Sequence, residues 1–216
     1  MPGPEPIPFD ETGVGSSEDL RKAKAELRRR IARLVAAMSF RERADASAAV
    51  ARAVLELPEF VRARSIIFYS ALPDETDLGA LVDDAISSGR EVLFPITDRE
   101  RHELAFASVE DPLRDLREGA YGILEPREGL PLADLSHVDL VLVPGRAFDR
   151  EGGRLGRGKG YYDGFLARVR PFGKGGPFKL GVAFACQLVE RVPVGPRDVR
   201  VDAVVTELGV VRRHCP

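Results

Sequence analysis

Val138-Asp139-Leu140-Val141-Leu142-Val143-Pro144-Gly145 is the stretch that decides the fold. An unbroken aliphatic run closed by Pro-Gly reads as a buried strand with an abrupt end. A glycine-dense loop, 145–160, follows it, and then a helix from about Tyr161 to Val169. The same order stands upstream. Ser65 to Tyr69 reads as a strand, Leu72 to Thr76 as a turn, Asp77 to Ser87 as a helix closed by Gly89, and Glu91 to Phe94 as a strand stopped by Pro95. Leu104–Val109, Lys179–Phe184 and Val201–Thr206 read as further strands, and Asp111 to Asp134, broken by glycines and prolines, as mostly loop. Alternation of strands with helices predicts an α/β protein with a mostly parallel central sheet.

Two helices precede these elements. The first has Ser17 as N-cap with Glu18 and Asp19 in its first turn, and repeats Leu20, Ala23, Leu27, Ile31, Leu34 and Met38 at helical spacing. The second starts at a Ser39/Glu42 capping box and runs to about Leu57, before Pro58. Residues 1–17, with Pro2, Pro4, Pro6 and Pro8, are expected to be a disordered or loosely packed tail on a single domain, 18–216.

Composition narrows the class. The 216 residues are 44% hydrophobic and 31% charged, enough apolar surface for a real core. Lys+Arg 32 against Asp+Glu 34 leaves a formal charge of -2, which argues against a protein that coats nucleic acid or an anionic membrane. Cys186 and Cys215 do not make a disulfide framework or a zinc site, and His102, His137 and His214 are scattered. Met1 to Glu18 lacks the basic and apolar regions of a signal peptide, so the expectation is a cytoplasmic monomer acting on small molecules.

Chemistry concentrates in Gly152-Gly153-Arg154-Leu155-Gly156-Arg157-Gly158-Lys159-Gly160-Tyr161-Tyr162-Asp163. Glycines let backbone N–H groups approach an anion, the next helix adds positive potential, and Arg and Lys add countercharge. Ligands of open α/β sheets bind at such carboxyl ends. Gly153 to Lys159 fits G-x-x-x-x-G-K, but Gly160 stands where a P-loop carries the Ser or Thr that meets magnesium. Asp163, the only acid between Arg154 and Lys179, is the nearest replacement. The dinucleotide pattern fails as well, since Tyr161 stands in place of its third glycine.

This segment, with Val143-Pro144-Gly145 and Ala147-Phe148-Asp149, resembles the signature of the 5-formyltetrahydrofolate cyclo-ligase family, also called methenyltetrahydrofolate synthetases. Further pieces lie in order: Lys24-Ala25-Glu26-Leu27-Arg28; Glu75-Thr76-Asp77-Leu78, where Leu78 replaces the usual Thr; Tyr121-Gly122-Ile123-Leu124-Glu125-Pro126; Ala183-Phe184 with Gln187; and Asp198 with Asp202-Ala203-Val204-Val205-Thr206-Glu207. The resemblance spans about Lys24 to Glu207. It implies a three-layer α/β fold with helices on both faces, similar to sugar-phosphate isomerases and CoA transferases. It implies ATP-dependent closure of 5-formyltetrahydrofolate to 5,10-methenyltetrahydrofolate with release of ADP and phosphate, and Mg2+ as cofactor.

Roles follow from that resemblance combined with chemistry. Arg154, Arg157 and Lys159 suit the transferring phosphate, and Lys24, Arg28, Gly156, Gly158, Gly160, Tyr161 and Tyr162 complete an ATP site. Lys24 and Arg28 share one helix face, which by itself is equally a solvated basic face. Glu75, Tyr121, Tyr161 and Tyr162 are the candidate folate contacts. A Glu75 carboxylate matches a two-donor pterin edge, or else serves as an N-terminal cap for the helix near Asp77; the tyrosines either stack on the pterin or belong to the core. Asp163 and Asp198 are the metal candidates, with Asp202 as rival to Asp198; the alternative role for Asp163 is to balance the charge of the three cations. The competing functions are a non-catalytic folate or nucleotide binder and a sugar-phosphate or CoA-ester enzyme of related fold.

Overall fold

The computed structural model describes residues 16–119 and 122–213. The chain opens with helices α1 (Ser17–Ala37), α2 (Phe40–Leu55) and α3 (Pro58–Arg62), then strand β1 (Ser65–Ile67), helix α4 (Gly79–Ser87) and strands β2 (Glu91–Asp98) and β3 (Glu103–Ser108). A short helix α5 (Pro112–Asp115) leads to a small hairpin, β4 (Leu116–Glu118) and β5 (Leu124–Pro126). Strand β6 (Leu140–Pro144) precedes β7 (Ala147–Asp149), β8 (Arg154–Leu155) and helix α6 (Tyr161–Arg168). Strands β9 (Phe178–Val182), β10 (Leu188–Val189), β11 (Ala203–Thr206) and β12 (Gly209–Arg212) complete the described chain.

Seven strands form one sheet in the order β12-β11-β9-β6-β1-β2-β3. Its five inner strands are parallel, and the edge strands β3 and β12 run antiparallel to their neighbours. The period of two sorts the inner residues onto two faces. Ile66, Val92, Leu140, Leu142, Leu180 and Val182 pack with Val50, Val54, Phe60 and Leu81 of α2, α3 and α4. Ile67, Leu93, Val141 and Val143 pack with Phe165 and Leu166 of α6 on the other face. The sheet therefore has helices on both sides, as expected. Leu140 to Val143 are all 0% exposed, because both faces are covered; each such side chain contributes about 1.5–3 kcal/mol. A third cluster joins Ile31 and Val35 of α1 to Ala147, Leu155 and Phe184, and so docks α1 against the loops that leave β6 and β9.

The differences from the sequence reading have local causes. The first N-cap is Ser16, one residue before Ser17, since Asp19 stands three residues after Ser16 and closes a capping box with it. Helix α2 ends at Leu55, and Pro58 starts a new helix rather than only ending the old one. Pro95 does not stop β2: pairing with β1 ends at Leu93, so beyond it the strand pairs with β3 alone, and a missing donor there costs little. The 111–134 stretch, read as mostly loop, also carries the short elements α5, β4 and β5. Strand β12 lies beyond the last expected strand. The tail reading covers residues 1–17; Ser16 and Ser17 belong instead to the start of α1, and residues 1–15 lie outside the described residues. No helix among the described residues is long and apolar enough to cross a membrane.

Candidate active site

The 145–160 loop leaves the carboxyl end of β6 at the centre of the sheet. Buried polar groups hold it from below. Asp149, 3% exposed, accepts from the Gly153 and Glu151 amides through Oδ1 (2.7 and 3.0 Å) and from the Val192 amide through Oδ2 (2.8 Å). Gln187 donates through Nε2 to the carbonyls of Gly145 and Arg146 (3.0 and 3.1 Å). The exposed rim then turns through Gly158 and Gly160, whose φ values of 99° and 77° only glycine adopts freely, and Gly160 becomes the N-cap of α6. A side chain at Gly160 would strain the place where the backbone must turn into the helix.

Three guanidinium groups of the loop, those of Arg146, Arg154 and Arg157, meet acids from elsewhere in the chain. Arg154 lies beneath the rim, its side chain 2% exposed, with Nη2 on Asp163 Oδ1 (2.6 Å), Nη1 on the Pro144 carbonyl (3.2 Å) and the Tyr162 ring at 5.9 Å. Its Nε has no hydrogen-bond partner. Arg157 reaches the turn after β1, where it donates to Glu75 Oε1 (2.8 Å) and to Asp74. Asp74 also pairs with Arg146. From α1, Arg28 Nε donates to the Gly156 carbonyl (2.8 Å), and Lys24 pairs with Asp198 Oδ2 at 2.5 Å, an oxygen that also accepts from the Gly195 amide. Arg28 therefore faces the loop, and Lys24 the segment that carries Asp198, rather than bulk solvent. Burial lowers the Arg28 pKa, and Asp198 and Asp163 oppose that shift, so both acids lie within electrostatic reach of Arg28.

The aromatic candidates divide. Tyr161 stacks on His102 from the β2–β3 turn, with ring centroids 4.4 Å apart, and His102 Nε2 is 2.5 Å from the Lys159 carbonyl. Tyr162 packs against both faces' cores, yet its buried hydroxyl has no partner. Burial, and after it the Glu75 charge, push that hydroxyl's pKa well above the ordinary tyrosine value, which keeps it a donor. Glu75 is not a helix cap. Its Oε2 accepts from the Leu72 amide, and α4 starts at Gly79 with Asp77 Oδ1 accepting from the Gly79 amide. Tyr121 lies outside the described residues. Strand β5 is held near the site, since Ser70 Oγ donates to the Leu124 carbonyl (2.5 Å) and Thr97 Oγ1 to Glu125 (2.6 Å).

Asp202 is removed from this cluster: it accepts from the Lys179 amide and ammonium (2.8 and 3.3 Å) at the amino-terminal ends of β9 and β11. No group of three or more His, Cys, Asp or Glu side chains arranged for a metal occurs among the described residues. His102, Asp74 and Arg146 are the site neighbours that the sequence reading missed. Asp74 adjoins Glu75 in a segment already read as a turn, so it was within reach; His102 carries no local signal, because its contact with residue 159 is made by the fold.

A glycine loop bearing cations at the carboxyl end of a parallel sheet, with an unpartnered buried phenol beside it, defines the class: an α/β protein whose candidate ligand site lies at the carboxyl ends of its strands. Residues 20–207 match the 5-formyltetrahydrofolate cyclo-ligase family. The 5-formyltetrahydrofolate cyclo-ligase of Escherichia coli is 32% identical, over 71% of this chain and 83% of that one. The mitochondrial enzyme of that name from Arabidopsis thaliana is 29% identical, over 97% and 84%. The solved structure of Aquifex aeolicus 5,10-methenyltetrahydrofolate synthetase superposes with a TM-score of 0.76 at 37% identity, covering 89% of this chain and 94% of that one. The chain belongs to the 5-formyltetrahydrofolate cyclo-ligase family.

Proposed function

We propose that the chain uses ATP to close 5-formyltetrahydrofolate to 5,10-methenyltetrahydrofolate, releasing ADP and phosphate. The observation that carries this reading is the glycine loop at the carboxyl end of β6, which bears Arg154, Arg157 and Lys159 and whose Gly156 carbonyl accepts from Arg28 of α1. An N-formyl group is an amide, and its carbon is a poor electrophile. In the reaction the formyl oxygen attacks the γ-phosphorus and ADP leaves. N10 then attacks the activated carbon and loses its proton, the carbon–oxygen bond breaks, and phosphate departs from the cationic methenyl product. The protein's part is to hold the formyl oxygen in line and to offset charge on the phosphoryl oxygens.

In this reading Arg157, Lys159 and the loop amides take the phosphates, with Arg154 supplying positive charge from beneath. Lys24 and Arg28 hold the nucleotide side of the loop together with Gly156, Gly158 and Gly160. The folate lies between the 70–75 turn, the β4–β5 hairpin and α6. There Glu75 accepts from the pterin, the Tyr162 hydroxyl donates to it, and Tyr161 and Tyr121 offer ring faces. The unpartnered Tyr162 hydroxyl supports that placement, since a buried donor needs an acceptor from some source.

Asp163 and Asp198 fit a magnesium ion that arrives with the nucleotide. That ion takes most of its ligands from phosphates and water, so few carboxylates are required, and Asp163 and Asp198 stand beside Arg154 and Lys24 at the two sides of the cradle. When bound, it would neutralise charge on the β- and γ-phosphates. Near-neutral net charge supports small-molecule substrates without nucleic acid or membrane, and we place the chain in the cytoplasm as a monomer. The test is direct: the purified chain with 5-formyltetrahydrofolate, ATP and magnesium should produce the methenyl chromophore, and omission of ATP should abolish it. Absence of the chromophore in the complete mixture refutes the reading.

A further inference from the structure

The Asp74 carboxylate sits between two guanidinium groups, with one oxygen on Arg146 and the other on Arg157. The three residues come from different segments: Asp74 from the turn after β1, Arg146 from the first residues of the loop after β6, and Arg157 from its glycine-rich rim. Arg146 is the more enclosed arginine, its side chain 18% exposed against 33% for Arg157, while Asp74 is 38% exposed on its turn. Arg157 has a second acid in Glu75, whereas Arg146 has Asp74 as its acid among the described residues. Arg146 also lies near enough to Arg28 for the two positive charges to oppose each other. Burial resists the charge on Asp74, but the two guanidinia outweigh it and hold the carboxyl below its ordinary range. One anion shared by two converging guanidinium groups is the arrangement a phosphoryl group takes between arginines.

We propose that Arg146 is a further phosphate-binding arginine of the cradle, and that Asp74 is an internal stand-in for phosphate that incoming nucleotide displaces from Arg146 and Arg157. The proposal rests on the nucleotide-binding reading of the loop and adds to it a residue and a counter-ion. It makes a prediction that simple bracing of the turn does not. If the Asp74–Arg146 pair only held two loops together, removal of either partner would loosen the site and change affinity in the same direction. If Asp74 competes with phosphate, the two removals act in opposite directions.

The test is calorimetric binding of ATP, and separately of inorganic tripolyphosphate, to the intact chain and to Asp74→Asn, Arg146→Gln and the double variant. Asp74→Asn should tighten both ligands by about three- to tenfold, and Arg146→Gln should weaken both by about tenfold or more, the range of a charge-assisted bond gained or lost. In the double variant the gain from Asp74→Asn should shrink, because half of the cation pair it would free is gone. Binding by the parent with both single variants shifted the same way, or with Asp74→Asn unchanged, overturns the proposal while the nucleotide reading stands. A parent chain that binds neither ligand overturns both. Should Arg146→Gln fail to fold, Asp74→Asn on its half-exposed turn decides alone: tighter binding supports the proposal and weaker binding refutes it.

Discussion

Asp163→Asn isolates the best-buried charge pair of the site. In the parent, the Arg154 guanidinium is 2% exposed and has one carboxylate, at 2.6 Å. Without that charge it retains the Pro144 carbonyl at 3.2 Å and the Tyr162 ring at 5.9 Å, while Nε has no partner in either case. Removing one member of a fully buried pair costs about 3–5 kcal/mol. Two features reduce that here: asparagine keeps an acceptor oxygen, and the Asp163 side chain is 24% exposed, so water reaches it. About 2 kcal/mol remains, which for a domain of this size lowers Tm by about 4–8 °C. The cost arises from an uncompensated buried cation, so removing the cation should relieve it. Arg154→Met combined with Asp163→Asn should therefore melt above Asp163→Asn alone. Phosphate should relieve it as well, so ATP should raise the variant's Tm more than the parent's. Calorimetric or fluorescence melts of the three proteins, with and without ATP, check all of this. An Asp163→Asn protein that melts within about 1 °C of the parent would refute the charge-balance argument. If Asp163 also meets magnesium, the same variant needs more metal for half-maximal activity, which a metal titration reads separately from stability.

Three further outcomes are expected. Tyr162→Phe removes a buried hydroxyl with no partner, so stability should hold or rise while folate KM rises or kcat falls; a fall in Tm of about 1 kcal/mol equivalent with unchanged kinetics would mean the hydroxyl is bonded inside the protein. Gly153→Ala would bring a Cβ to 2.4 Å from Asp149 Oδ2, so that variant should lose the fold of the loop and its activity, whereas Gly164→Ala, with nothing within 4 Å on the exposed side of α6, should gain about 0.5–1 kcal/mol in a melt. On the acid side, Asp74 is held low by its arginines against the opposing effect of burial, and Glu59 is held low by its bond to Arg212. Depressed carboxyls bind fewer protons when folded, so this stability is present above the ordinary carboxylate range and is lost as pH falls below about 4, and Asp74→Asn should make the acid limb of a Tm-against-pH curve shallower.

What was legible in the sequence was whatever short-range physics determines. The 140–143 run, buried on two faces, needs no alternation and shows itself as a strand; the Ser39/Glu42 box closes over three residues; and the spacing of glycines and cations from Gly153 to Lys159 is visible without a fold. The errors fall where a distant partner decides. Pro95 continues a strand because β1 ends beside it, β12 exists because β11 has a free edge to offer, and the β4–β5 hairpin is anchored by Ser70 from the segment after β1 and Thr97 from β2. His102 could not be singled out from a polar loop, since its meaning comes from the Tyr161 ring and the Lys159 carbonyl.

The electrostatics carry the deeper lesson. Counted along the chain, Arg154, Arg157 and Lys159 make a strongly positive segment with one acid in it, Asp163. Folding brings acids to meet several of these cations: Asp163 to Arg154, Glu75 and Asp74 to Arg157, and, on the neighbouring helix, Asp198 to Lys24. The ligand-free site is thus an internally neutralised network rather than an open positive basin. A fully exposed basin of unpaired guanidinia would repel itself and destabilise the fold. A network whose acids are shared and partly exposed avoids that, and it leaves the exchange of a carboxylate for a phosphate nearly balanced in desolvation, because the cation is already stripped of much of its water before the ligand arrives. On the proposed reading, then, the acids next to the arginines would be as much a part of the recognition of phosphate as the arginines themselves.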